Sequence, residues 1–191
     1  MFTFDDAYAD IATYALPVLE RFGFNAAIYA ITESLSTSLT WDGMQVMTKE
    51  QLLYWASRGF EIGAHTRTHP DLSSLSNPAV LQEAGGSKND LVQAGFEVWS
   101  FAYPYGHYNM RVRDALEGTF PMALTCEEGM NDADTDPLQI RRTMVQPRDT
   151  LLDIEFRVAM GRSPLDPLRT QIKLRSRIKK LLRRIGLLPQ D

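Results

Sequence analysis

The sequence predicts an α/β fold: a deformed, incomplete (β/α) barrel of about six or seven strands, followed by a basic amphipathic C-terminal helix. Two patterns predict it. Short β-prone runs alternate with longer stretches whose apolar residues recur at the helical period, and that alternation calls for a parallel sheet with crossover helices. The least ordinary polar residues also fall at one place in the repeating unit, just after the strands. In parallel folds the carboxyl ends of strands share one crevice.

Each element has a local reason. Phe2 to Phe4 reads as the end of a first strand. Ile11, Tyr14, Ala15, Val18, Leu19 and Phe22 form a helical stripe within Tyr8 to Phe22, closed by Gly23. Asn25 to Ile31 is β-prone, and the Ser- and Thr-rich stretch 32–47 is expected to be a long loop. Thr48 and Gln51 spell a capping box that opens a helix over Lys49 to Ser57. Phe60 to His65 is a third strand, and Asn77-Pro78 opens a helix that runs to about Ala94 before Gly95. Val98 to Ala102, Met122 to Cys126 and Leu138 to Val145 are the remaining strands. Helices are expected over Met110 to Glu117 and from Thr150 to Met160.

A chain of 191 residues, 44% hydrophobic and 23% charged, is long enough for one sizeable core and is neither disordered nor collagen-like. Its single cysteine, Cys126, cannot form an internal disulfide. No apolar run is long enough to span a membrane, and Met1-Phe2-Thr3-Phe4-Asp5 is not a signal peptide. As written the chain is expected to be cytoplasmic, although a start codon further upstream would hide an export signal. The net charge of −4 is uneven: residues 169–191 carry eight bases and one acid. The acidic remainder argues against a nucleic-acid partner. In the tail, Leu174, Ile178, Leu181, Ile185 and Leu188 step by 4, 3, 4 and 3 beside Lys179, Lys180, Arg183 and Arg184. That pattern suits packing on the body, homodimerisation or contact with a membrane surface. The expected division is a main domain over 1–165 and a tail helix over 166–191.

Three polar clusters end three strands: Asp5-Asp6, His65 with His69, and Tyr103-Pro104-Tyr105-Gly106. Two imidazoles at i and i+4 can reach one metal, and with one carboxylate they leave coordination positions for water or substrate. The second carboxylate is then free to take a proton. Taken singly, Asp-Asp is also a common helix cap and Tyr-Pro-Tyr-Gly a common turn. It is their joint position that argues for a site.

Thr3-Phe4-Asp5-Asp6, His65-Thr66-Arg67-Thr68-His69-Pro70 and Phe101-Ala102-Tyr103-Pro104-Tyr105-Gly106 resemble, in order and spacing, the leading motifs of the polysaccharide deacetylases. These are the NodB-homology group, carbohydrate esterase family 4, here in its Phe-Ala-Tyr-Pro-Tyr-Gly branch. The resemblance covers about residues 1–160. It implies a metal-dependent hydrolase that removes N-acetyl groups from a polysaccharide or a sugar precursor. Asp5 matches the catalytic base; Asp6, His65 and His69 match the ligands of one divalent ion, zinc first. The Tyr105 N–H matches the oxyanion donor. Tyr103, Pro104, Arg142 and His107 are expected to meet the substrate. The family's late general-acid histidine has no counterpart, because no histidine follows His107. His107 is a candidate for that proton, and a degenerate member that binds glycan or acts as a scaffold is the alternative reading. A non-haem iron oxygenase shares the two-histidine, one-carboxylate set, but the alternating pattern contradicts its usual all-β scaffold.

Overall fold

The computed structural model describes residues 1–36 and 40–167. Five parallel strands form the main sheet in the order β1-β2-β5-β6-β7: β1 (Phe2–Phe4), β2 (Ala26–Ala30), β5 (Glu61–Ala64), β6 (Ser100–Ala102) and β7 (Met122–Leu124). The sheet is that of a deformed, incomplete barrel. Two further strands, β3 (Thr40–Trp41) and β4 (Met44–Gln45), make a separate antiparallel hairpin. Among the described residues the sheet thus has five strands rather than six or seven.

The helices are α1 (Leu16–Arg21), α2 (Thr32–Ser36), α3 (Lys49–Ser57), α4 (Asn77–Gln93), α5 (Met110–Leu116) and α6 (Leu151–Met160). Residues on β2 alternate between two buried layers, as a parallel strand covered on both faces must. Ala26, Ile28 and Ala30 join the large core with Leu52, Trp55, Val80, Leu91, Val112 and Leu116 from the helices. Ala27 and Tyr29 face the other way, into a smaller cluster with Ala102 and Leu124. The Tyr29 ring crosses directly over Gly63, where a Cβ would lie 2.4 Å from Cε1. Its hydroxyl accepts a hydrogen bond from Ser100 Oγ at 2.9 Å.

Three expectations are corrected. The helix expected from Tyr8 is interrupted after Asp10 by a π-helical turn, Ile11–Ala15, before it continues as α1. Pro17, at the start of α1, has no N–H to donate and crowds the carbonyl four residues back, so the preceding turn widens. The stretch 32–47 is not a plain loop: it contains α2 and the β3–β4 hairpin, turned at Asp42 (φ 47°) and Gly43 (φ 75°). Leu138–Val145 is not a sixth strand. Ile140 alone bridges Leu124, and Pro137–Gln139 is a 3₁₀ turn. The next residue, Arg141, exchanges both backbone bonds with the Asn131 side chain (2.9 and 3.0 Å), which replaces a strand partner.

The described residues divide into two compact units, those within 1–127 with 131–141, and 128–130 with 142–167. The first holds the sheet and α1–α5. In the second, Thr150 and Asp153 form a capping box at the start of α6, and Gly161 ends the helix in the left-handed region. The buried Arg157 guanidinium donates to both oxygens of Asp149 (2.7 and 3.1 Å), to Asp166 and to Glu128. No helix among the described residues is long and apolar enough to cross a membrane. The expected amphipathic tail falls almost entirely on residues 168–191, outside the described residues.

Candidate metal centre

The chain turns sharply at the end of each strand that carries a polar cluster. Six non-glycine residues among those described have positive φ: Asp6, Ala7, Asp42, Thr66, His69 and Tyr105. Asp42 belongs to the hairpin turn; the other five lie just beyond β1, β5 and β6. Each such conformation costs on the order of 1–3 kcal/mol and persists only where the surroundings enforce it. Ala7, which has no polar side chain to compensate, is buried and accepts the Met47 N–H at 2.8 Å.

These turns bring Asp6, His65 and His69 together, with one ligand atom from each lying within 4.8 Å of the others. Asp6 Oδ1 is 3.5 Å from His65 Nε2 and 3.7 Å from His69 Nε2. Those distances are too long for hydrogen bonds. They are close to the roughly 3.3 Å between two ligand atoms that each bond a tetrahedral ion at about 2.0–2.1 Å. His65 Nδ1 donates to the Ala102 carbonyl at 2.7 Å, which fixes the tautomer and leaves the Nε2 lone pair facing the cluster. Asp6 Oδ1 and His69 Nδ1 are buried and find no hydrogen-bond partner among the described residues. An orphaned carboxylate oxygen between two imidazole nitrogens is a fault in a closed core and a fitting donor set for a cation.

Burial dominates the electrostatics of this donor set. Burial pushes the Asp6 carboxyl up, with His65 partly opposing and Asp5 adding to the rise. Burial lowers both His65 and His69, against the attraction of Asp5. Both imidazoles are therefore held in the neutral form that a metal requires. Burial also raises Tyr8, whose hydroxyl bonds Asp6, to about 12, so it stays protonated as a donor.

The comparisons with known proteins converge on one family. The polysaccharide deacetylase family model matches residues 1–119. The chain belongs to the polysaccharide deacetylase family. It is 31% identical over 150 residues to YxkH of Bacillus subtilis (strain 168), covering 77% of this chain and 51% of YxkH. The chain thus spans about half the length of that relative. Among solved structures it is similar to the Streptococcus pyogenes deacetylase PplD in complex with acetate. That likeness has a TM-score of 0.74 and 24% identity, over 83% of this chain and 68% of PplD. The BpsB deacetylase domain from Bordetella bronchiseptica gives a TM-score of 0.66 and 24% identity, over 75% of this chain and 69% of that domain. At such identities these two likenesses speak for the fold, a deformed barrel.

Within this polysaccharide deacetylase fold the other expected site residues separate. Asp5 is half-buried beside Asp6, and its charge reaches both imidazoles. Tyr105 is the left-handed apex of the Pro104–Gly106 turn (φ 58°, ψ 5°), and its ring lies edge-on to His69 at 4.6 Å. The turn's hydrogen bonds are donated by Gly106 and His107; the Tyr105 N–H belongs to neither. Gly106 is required there, since a Cβ would lie 2.4 Å from the Cys126 Cβ.

Tyr103 and Pro104, expected to touch substrate, are buried where this turn begins. The Tyr103 hydroxyl is spent on the Leu138 carbonyl at 3.0 Å, and the ring stacks on Tyr108. His107 is exposed, with Nδ1 2.9 Å from Asp71 Oδ2 and its ring 5.8 Å from that of Tyr105. Arg142 is half-buried in the second compact unit. Sequence reasoning missed Trp41, whose ring lies 5.2 Å from His69, and Tyr8 beside Asp6. The Asp42-Gly43 pair was a legible hairpin signal that would have located Trp41.

Proposed function

We propose that this protein is a metal-dependent deacetylase that removes acetyl groups from an N-acetylated polysaccharide or oligosaccharide. The observation that carries the reading is the Asp6–His65–His69 cluster, with Asp5 at its side and two of its buried polar atoms without a hydrogen-bond partner among the described residues. A divalent cation, zinc first, would be held by Asp6, His65 and His69, and when bound supplies Lewis acidity toward an acetyl carbonyl and a water. Asp5 is the base that takes the proton of the attacking water. The Tyr105 N–H is the donor for the carbonyl oxygen as it gains negative charge. His65 is kept in its ligating tautomer by Ala102. His107, polarised by Asp71 at the rim, is the candidate to protonate the leaving amine.

The test is elemental analysis of the full chain and of His69→Ala, followed by acetate release from N-acetylglucosamine oligomers. About one equivalent of zinc, lost in the variant together with acetate release, supports the reading. Metal-loaded protein that binds such oligomers without releasing acetate would make this a glycan-binding member rather than an enzyme.

A further inference from the structure

The three residues between the two histidines form a tight loop with Thr66 (φ 67°) and His69 (φ 57°) in the left-handed region. Neither β-branched threonine nor histidine settles there unaided. Within the loop, Thr66 Oγ1 accepts the His69 N–H at 2.9 Å. The Arg67 and Thr68 N–H groups point outward, and one side chain from α4 takes both. Glu83 Oε2 accepts from Arg67 N at 3.0 Å and Thr68 N at 2.9 Å, while Oε1 accepts from Thr68 Oγ1 at 2.9 Å.

The same face of α4 is shaped to this loop. Asp90, two turns on, binds the Arg67 guanidinium through both oxygens at 2.7 Å and also accepts from Thr32 Oγ1. Between them Gly86 gives the room: a Cβ there would lie 2.7 Å from Arg67 Cζ.

We propose that Glu83 is a positioning residue of the metal centre: by holding the outward N–H groups of Arg67 and Thr68 it fixes the turn that aims His69 at Asp6. This rests on the metal-centre reading above. Glu83 acts through the backbone, so its acceptor oxygens matter and its charge does not. Glutamine keeps an oxygen for the two N–H groups and offers its amide to Thr68 Oγ1; alanine leaves all three donors unmet.

The experiment is zinc affinity of the full chain by competition with a chromophoric chelator, alongside thermal melting of the metal-free proteins. Relative to wild type, Glu83→Ala is expected to weaken zinc binding about 10–100-fold, the usual effect of losing a group that orients a ligand. Glu83→Gln is expected to stay within about threefold, because its hydrogen bonds persist. Should Glu83→Ala fail to fold, Glu83→Asp retracts the carboxylate by one methylene, and a weakening of about tenfold is expected. Wild-type zinc affinity in a folded Glu83→Ala or Glu83→Asp, whatever its melting temperature, overturns the proposal. So does equal weakening by alanine and glutamine, which would make the effect one of charge. If the wild type binds zinc no better than His69→Ala, the metal reading itself has failed, and the role of Glu83 falls with it.

Discussion

Asp5 and Asp6 are adjacent in sequence, and the backbone places them differently. At Asp6 the chain enters the left-handed region and turns its carboxylate between the two imidazoles; Asp5, one residue earlier, stays at the side of the cluster. Removing each carboxylate should therefore fail in a different way. Asp5→Asn is expected to keep about the wild-type zinc content while acetate release falls by roughly 10²–10⁴, the usual worth of a positioned base. Elemental analysis and an acetate assay on one preparation check this; loss of zinc from Asp5→Asn would make Asp5 a ligand instead. The clustering of Asp6, His65 and His69 was legible in the sequence because two of only three histidines stand four residues apart after one strand and an acidic pair ends another. Glu83 was not, since it serves backbone N–H groups and leaves no side-chain spacing to find. Tyr103 shows a different limit: it opens a polar-looking turn, yet its ring is buried and its hydroxyl bonds the Leu138 carbonyl.

At the scale of elements, close approach explains both what the sequence foretold and what it hid. The capping box at Thr48 is local and appears as spelled, and the helix start expected at Thr150 proves to be a second box, closed by Asp153. The widening before Pro17 and the capture of Arg141 by Asn131 depend on a missing donor and on a residue ten positions away, beyond the reach of a periodicity argument. Gly63 is a further case of hidden necessity. It sits mid-strand in β5, where glycine is intrinsically unfavourable, because the neighbouring Tyr29 ring occupies the space of a side chain. Tyr29 is fully buried and held by Ser100, so it has no free direction in which to yield. Gly63→Ala is expected to destabilise the protein by about 1–3 kcal/mol, the range for overpacking a closed core. Chemical denaturation of the two proteins measures it. An unchanged midpoint would show that the inner layer of the barrel is looser than its packing indicates.

For the molecule as a whole, acid stability follows from carboxylates held below their ordinary range on several elements. Hydrogen bonds from Arg113 hold Asp136 down to about 2, against an ordinary 3.8. Arg67 lowers Asp90 and Arg157 lowers Asp149, and Ser73 followed by His107 lowers Asp71. A carboxylate depressed in the folded state binds fewer protons there than in the unfolded chain. Between its folded and unfolded values the unfolded state takes up the proton, so stability rises with pH across that window. For Asp136 the contribution is complete above 3.8 and disappears as pH falls toward about 2. Asp6, raised by burial, works in the opposite sense. The depressed carboxylates outnumber it and sit on separate parts of the chain, so the net slope is set by them. The melting temperature is therefore expected to fall steadily as pH is lowered from about 5 to about 3. Asp136→Asn should start lower at neutral pH and fall less steeply, because its share of the proton uptake has been removed. Parallel melting curves for the two proteins would show whether this bridge contributes: identical slopes would mean that Asp136 exchanges its proton with solvent as freely in the folded protein as in the unfolded chain.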